Sequence, residues 1–286
     1  MKLRNVRPWT VALAAVATSF TIVSSASALT PETIYDATPN PLPPNVASQG
    51  YQATQTAELG DQVTFAGENR RVTSVTVTMS DWALHSSYPS MPAAGWTHPI
   101  TLNLYNVNTA NPALPGTLIS TTTQTFSIPW RPEADPTCPG GTAWRASDGL
   151  CYNGLAFNIT FDLDVVVPDS VVYGIAYNTN TWGYHPIGAP GPYESLNVGV
   201  PTGQLATTGT DVPPADVFRA SGSTPVFQRE LGWAPNGTVA AKFVATELPV
   251  AAPTTKAQCK KYGWKKFNDP SFKNQGRCIK YVNHHR

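Results

Sequence analysis

The residues best placed for chemistry are aromatic. Trp82, Trp96, Trp130, Trp144, Trp182 and Trp233 fall at strand ends or in long irregular segments, with Tyr88, Tyr152, Tyr184 and Tyr193 among them. A flat exposed ring stacks on the apolar face of a sugar, and nearby amide, carboxylate, guanidinium or imidazole groups can bind its hydroxyls. The candidate partners are His85 and His98 near Trp82 and Trp96, Arg131 beside Trp130, Arg145 and Asp148 beside Trp144, and His185 beside Tyr184. The expected binding set is therefore Trp82, His85, Trp96, Trp130, Arg131, Trp144, Arg145, Asp148, Trp182 and Tyr184. The plainer reading is that these rings plug the ends of a β-fold, since large aromatics mostly end up buried.

Carboxylates give a second kind of chemistry. Asp162 and Asp164 are two apart in an alternating run, so both project from one strand face about 6.5 to 7 Å apart at the backbone, which overlaps glycosidase spacing. Glu133 and Asp135 form a similar pair. Exposed strands produce such pairs by default, and no catalytic residue is assigned. The sequence contains no G-x-S-x-G elbow, H-E-x-x-H helix, Walker-type phosphate loop or G-x-G-x-x-G. His85, His98 and His185 lack a ligand spacing, so neither a metal nor a cofactor is expected.

These residues must be held by strands. Apolar residues alternate with polar ones in Phe157–Val165, Thr73–Ser80 and Ile100–Leu104, the mark of strands with one wet face. Val171–Tyr177 is apolar on both faces and reads as a central strand, and Val239, Ala241 and Phe243 supply a closing one. Pro/Gly/Asn clusters such as NPLPPN, NPALPGT and GAPGPY separate the runs. Nine or ten short strands without covering helices predict an all-β, antiparallel, jelly-roll-like sandwich over residues 29–248. Segments 81–99, 130–154 and 178–192 are too long for hairpin turns, and loops of that length are often functional.

The ends of the chain differ from its middle. Lys2, Arg4 and Arg7 precede an uncharged stretch over 11–23 and a small-x-small site at Ala26–Ala28, so residues 1–28 read as a signal peptide cleaved after Ala28 and the protein as secreted. The apolar run is too short and too broken to span a bilayer. Residues 249–255 form a Pro/Ala/Thr linker. Residues 256–286 then carry nine Lys or Arg against Asp269, whereas residues 29–255 carry 17 acids and seven bases. The formal charge of +1 is thus a cancellation between an acidic body and a basic tail.

Cys138, Cys151, Cys259 and Cys278 permit three pairings. Local pairing is favoured because each pair lies within one composition block, and export to an oxidising compartment makes bonds the expectation. Each closed loop would remove unfolded-chain entropy equivalent to about 3 kcal/mol. In the loop PEADPTCPGGTAWRASDGLCYNG, the staple would also fix Trp144, Arg145 and Asp148 in one geometry. The tail is expected to be a small stapled module, with a short helix from Thr255 and a strand at GRCIKYV. Its Lys260, Lys261, Trp264, Lys265 and Lys266 form a basic, aromatic surface suited to wall polyanions, acidic polysaccharide or anionic membrane, and nucleic acid is attracted by the same charges.

The runs DQVTFAG, VTSVTVTMSDW, ITLNLYNV, GTLISTTTQTFSIPWRP, NITFDL and VVYGIAYNT, with CKKYGWKKF, FKNQGRC and IKYV in the tail, resemble a group of uncharacterised secreted bacterial β-sandwich proteins with a short C-terminal cysteine-flanked basic tail. The resemblance covers nearly all of the chain after the leader. It implies export and architecture, and brings no catalytic residues. The leading expectation is a non-catalytic protein binding a glycan or cell-surface ligand through its loops. A sandwich-type glycoside hydrolase or polysaccharide lyase, and a self-assembling surface protein, are the alternatives.

Overall fold

The structure is a computed structural model describing residues 30–179, 191–248 and 250–285. The expected signal peptide lies outside the described residues, as do Trp182, Tyr184 and His185. Of the described residues, those from 30 to 248 form one compact unit and those from 250 to 285 a second. Of the described residues 42% are strand and 11% helix, and the antiparallel sheets pack as a sandwich.

The strands in chain order are β1 (Glu32–Asp36), β2 (Ser48–Gly50), β3 (Thr56–Thr64), β4 (Arg71–Asp81), β5 (Trp96–Val107), β6 (Pro115–Ile128), β7 (Trp144–Arg145) and β8 (Cys151–Tyr152). They continue with β9 (Leu155–Val166), β10 (Ser170–Ala176), β11 (Leu196–Gly199), β12 (Thr210–Asp211), β13 (Val217–Ser221), β14 (Gln228–Glu230) and β15 (Ala241–Thr246). The additional strands beyond the ten expected are mostly two or three residues long, too short to show a period.

One sheet is built on β4, with β9 along one side and β15 then β1, or β11 then β2, along the other. The second sheet runs β14, β13, β3, β10, β5, β6, with β12 also on β3. The expected strands fall on β4, β5, β9, β10 and β15. β10 is central, between β3 and β5, and every residue from Val171 to Tyr177 is buried, as its two-sided apolar sequence requires. Alternation then fills the interior: Val75, Val77, Met79, Ile159, Phe161 and Phe243 from one sheet meet Leu59, Ile100, Leu102, Leu104, Tyr173 and Ile175 from the other.

Register places the long connections. Asp81 pairs with Leu155 and Leu196, while Trp96 pairs with Ile128 in the opposite sheet. The connections 51–55, 82–95 and 129–154 therefore cross between the sheets at one end of the sandwich, where β10 ends and β11 begins. The last two fall in segments whose length marked them in the sequence, and most of the third such segment, 178–192, lies outside the described residues.

The C-terminal unit closes around Cys259, Phe267, Cys278 and Val282. Helix α1 (Lys256–Cys259) starts where the Thr255 N–H donates to Gln258 Oε1 at 2.8 Å. Lys261 and Tyr262 both adopt left-handed backbone and end it. The expected strand at GRCIKYV is instead the middle of helix α2 (Gln275–His284). Asn274 Oδ1 accepts the Arg277 N–H at 3.0 Å as an N-cap, and Cys278 and Val282, four apart, share the buried face. The apolar residues there fit a helical period as well as an alternating one, and the cap decides.

Candidate functional site

The loop-bearing end separates the aromatic residues into rings that face solvent and rings that support them. Trp82 follows β4 directly and keeps 44% of its surface exposed. Its indole N–H donates to Ser80 Oγ at 3.1 Å, and Ser80 donates to Asn45 Oδ1 at 2.7 Å. Gly154 forms the floor of this site. A Cβ there would lie 2.5 Å from Trp82 Nε1 and 2.7 Å from both Asn45 Oδ1 and Ser80 Oγ, so any side chain would lift the indole away. Thr78 and Asn158 occupy the next row of the same outer face, hydrogen-bonded at 2.8 Å, with Asn158 exposed. An exposed indole with fixed orientation thus borders a surface of amide and hydroxyl groups.

The disulfide loop underpins that ring. Cys138 and Cys151 are bonded, the local pairing that the sequence favours, with Cα atoms 5.9 Å apart. Trp144 is buried, and its N–H donates to the Gly154 carbonyl at 2.8 Å, so it fixes the floor beneath Trp82 from below. Arg131 is buried as well. Its guanidinium donates to the Trp82 carbonyl at 3.1 Å and the Thr142 carbonyl at 2.9 Å, joining the stapled loop to the start of the 82–95 loop. Arg145 is exposed but committed within its own loop, to Asp135 at 3.0 Å, Thr137 at 2.9 Å and the Gly149 carbonyl at 2.7 Å. Asp148 accepts from the Leu150 N–H and the Tyr152 hydroxyl, which hold its carboxyl below the usual range.

A second aromatic group gathers on the other sheet's side of this end. Trp96 is buried and packs against half-buried Trp130, their centroids 4.5 Å apart. Tyr88 lies nearly parallel to Trp130 at 5.8 Å, and His85 lies 5.6 Å away with Nε2 on the Met91 carbonyl. The Trp130 N–H donates to the Pro92 carbonyl at 2.8 Å. His98 is buried, stacked on Tyr193 at 4.0 Å, and burial lowers its pKa to about 4. Among the described members of the expected set, Trp82 is the ring that presents itself to solvent. Trp144 and Arg131 are buried and build the platform beneath Trp82, and Trp96 is buried against Trp130.

The carboxylate pairs conspicuous by their spacing lie on open surface. Asp162 and Asp164 project from the same face of β9, as expected, but Arg71 holds Asp164 through two bonds of 2.6 and 2.9 Å and keeps its carboxyl ionised. Glu133 accepts from the backbone and hydroxyl of Ser86, which lower its pKa, and Asp135 is similarly lowered by Thr137. None of these three has the raised pKa of a general acid.

A carboxyl with the opposite character lies on β3. Glu58, buried on the outer face of its sheet, rests over Gly174, where a Cβ would come within 2.1 Å of Glu58 Oε1. That oxygen accepts from Asn103 Nδ2 at 2.9 Å and the Tyr105 hydroxyl at 3.0 Å. Burial raises the pKa and the two hydrogen bonds pull it back. The sequence signal was the AELGD stretch, in which two acids three apart must point to opposite faces of one strand.

In the tail unit, Lys260, Lys261, Lys265 and Lys266 are exposed, and Tyr262 is 74% exposed. Lys265 Nζ lies 5.3 Å from the Tyr262 ring and 5.6 Å from that of Trp264, which itself packs on the unit's core. The bonded pair Cys259 and Cys278 staples this surface to α2. Among the described residues no three metal-ligating side chains converge, and no helix is long and apolar enough to cross a membrane.

No protein-family model, curated protein or solved structure matches the chain.

Proposed function

We propose that this is a secreted, non-catalytic binding protein that contacts a glycan or cell-surface ligand through Trp82 and the loops around it, while its basic tail attaches it to anionic surfaces. The carrying observation is Trp82, exposed yet fixed by Ser80, Gly154 and the Arg131 link to the disulfide loop. A ring held in place loses little entropy on stacking, which favours affinity for a flat, hydroxylated face. The two disulfides are compatible with life outside the cell. Exposed lysines around Tyr262 and Trp264 supply a salt-sensitive attraction to polyanions.

The test is retention on insoluble polysaccharides and purified cell wall. Trp82→Ala should weaken retention about tenfold, the equivalent of roughly 1.4 kcal/mol of stacking. Replacing Lys260, Lys261, Lys265 and Lys266 with Gln should remove its salt-sensitive part. Failure of the unaltered protein to bind any of these materials, or equal binding by Trp82→Ala, refutes the reading.

A further inference from the structure

Two acids lie in the sandwich interior away from the loop end. Asp61 points inward from β3, between Leu59 and Val63, and faces Tyr173 of β10 across the ladder. Asp211 of β12 pairs directly with Val63. Since Asp61 and Val63 share a face, Asp211 is Asp61's diagonal neighbour, and the two carboxyls are within hydrogen-bonding reach of each other. Asp61 accepts the N–H groups of Gln62 at 2.8 Å and Val239 at 3.3 Å. Asp211 accepts the Thr238 hydroxyl at 2.7 Å, while its Oδ1 is sealed from solvent without a partner.

The surroundings offer little compensation for two negative charges. Tyr35 faces the pair from β1, and its buried hydroxyl has no partner. The Tyr173 hydroxyl is engaged with the Val239 carbonyl at 2.9 Å. Asp216, which follows β12, adds a further negative charge. The cation acting on both acids is Arg229 of β14, already bound to Gln62 at 2.7 Å, the Pro112 carbonyl at 3.1 Å and Asp216 at 3.8 Å. Two ionised carboxylates in contact repel, whereas one protonated and one ionised carboxyl make a strong charge-assisted hydrogen bond.

We propose that Asp61 and Asp211 share a single proton and form a proton-binding clasp that fastens β12 and residues 238–239 onto β3. Burial raises both acids, Asp211 to about 6 and Asp61 well above its ordinary value. The folded body therefore binds protons that the unfolded chain releases near pH 4. The contribution of the clasp is complete below about pH 4, falls with the Asp211 proton up to about pH 6, and continues to fall with the shared proton above it. The clasp is thus tightest in acid and loosens the β12 edge as the medium turns alkaline.

Asp61→Asn and Asp211→Asn keep the shape and give a neutral amide to bridge the remaining carboxylate. Between pH 6 and 8 the unfolding equilibrium constant of the unaltered protein should rise by about a further factor of ten per pH unit relative to Asp61→Asn. Equal slopes for the unaltered protein and both variants would overturn the proposal. So would stabilisation of the unaltered protein, but not the variants, by calcium at pH 8, since a cation would then occupy the place of the proton. If neither variant folds, infrared spectroscopy at pH 7 on protein carrying Glu58→Gln and Asp81→Asn reads the pair directly: a protonated-carboxyl band is expected, and its absence overturns the clasp.

Discussion

Asp81 offers a direct test of how burial governs this protein's acids, because it lies beneath the proposed binding platform. It ends β4 on the inner face between Leu155 and Leu196, with none of its surface exposed. Oδ1 accepts the Ala83 N–H at 3.2 Å, and Oδ2 is sealed off without a partner. Burial raises the pKa to about 8, against an unfolded value of about 3.9. From about pH 4 to pH 8 the folded protein keeps this proton and the unfolded chain loses it, so stability falls by about 1.4 kcal/mol per pH unit. By pH 7 the accumulated loss is about 4 kcal/mol. Asp81→Asn retains the acceptor for Ala83 and removes the titration. Urea unfolding followed by tryptophan fluorescence, disulfides intact, should give nearly equal stabilities at pH 4 and a variant more stable by about 4 kcal/mol at pH 7. Parallel pH profiles would refute the reasoning. A variant less stable by about 3–5 kcal/mol at pH 7 would show that Asp81 is ionised and held by the buried Arg131 guanidinium instead.

Glu58→Gln preserves the acceptor for Asn103 and Tyr105 and should flatten the pH dependence of stability above about pH 4.3, while Glu58→Ala strands both donors and should cost about 1–3 kcal/mol, read by urea midpoints. Gly154→Ala should push the Trp82 indole off its floor and weaken polysaccharide retention as much as Trp82→Ala does, with a far-UV spectrum unchanged. Cys259→Ala with Cys278→Ala removes the staple of a unit whose buried core is four residues, and should destabilise that unit by about 3 kcal/mol in hydrogen exchange of α2 amides while leaving those of β10 unchanged.

How far the sequence discloses this depends on whether a feature is local. The period of β9 and the two-sided apolarity of β10 are written in consecutive residues, and so is the short separation of each bonded cysteine pair. GRCIKYV failed because seven residues fit either period, and the deciding contact is the Asn274 cap outside that run. The aromatic residues were legible as a group but not in their roles. Trp82 and Trp144 are the same side chain in similar loops, and what separates them is Gly154, which receives the N–H of one and carries the ring of the other. The buried acids were hidden for the same reason. Asp61 and Asp211 are 150 residues apart, and only the pairing of β12 with β3 makes them neighbours, whereas Asp162 and Asp164, conspicuous by spacing, face solvent and Arg71. Spacing along one strand reports a shared face; whether that face is wet depends on the strands and loops laid over it. In this fold the acids with raised pKa values are those whose cover comes from distant segments, so the pH response and the binding platform are both set by long-range register.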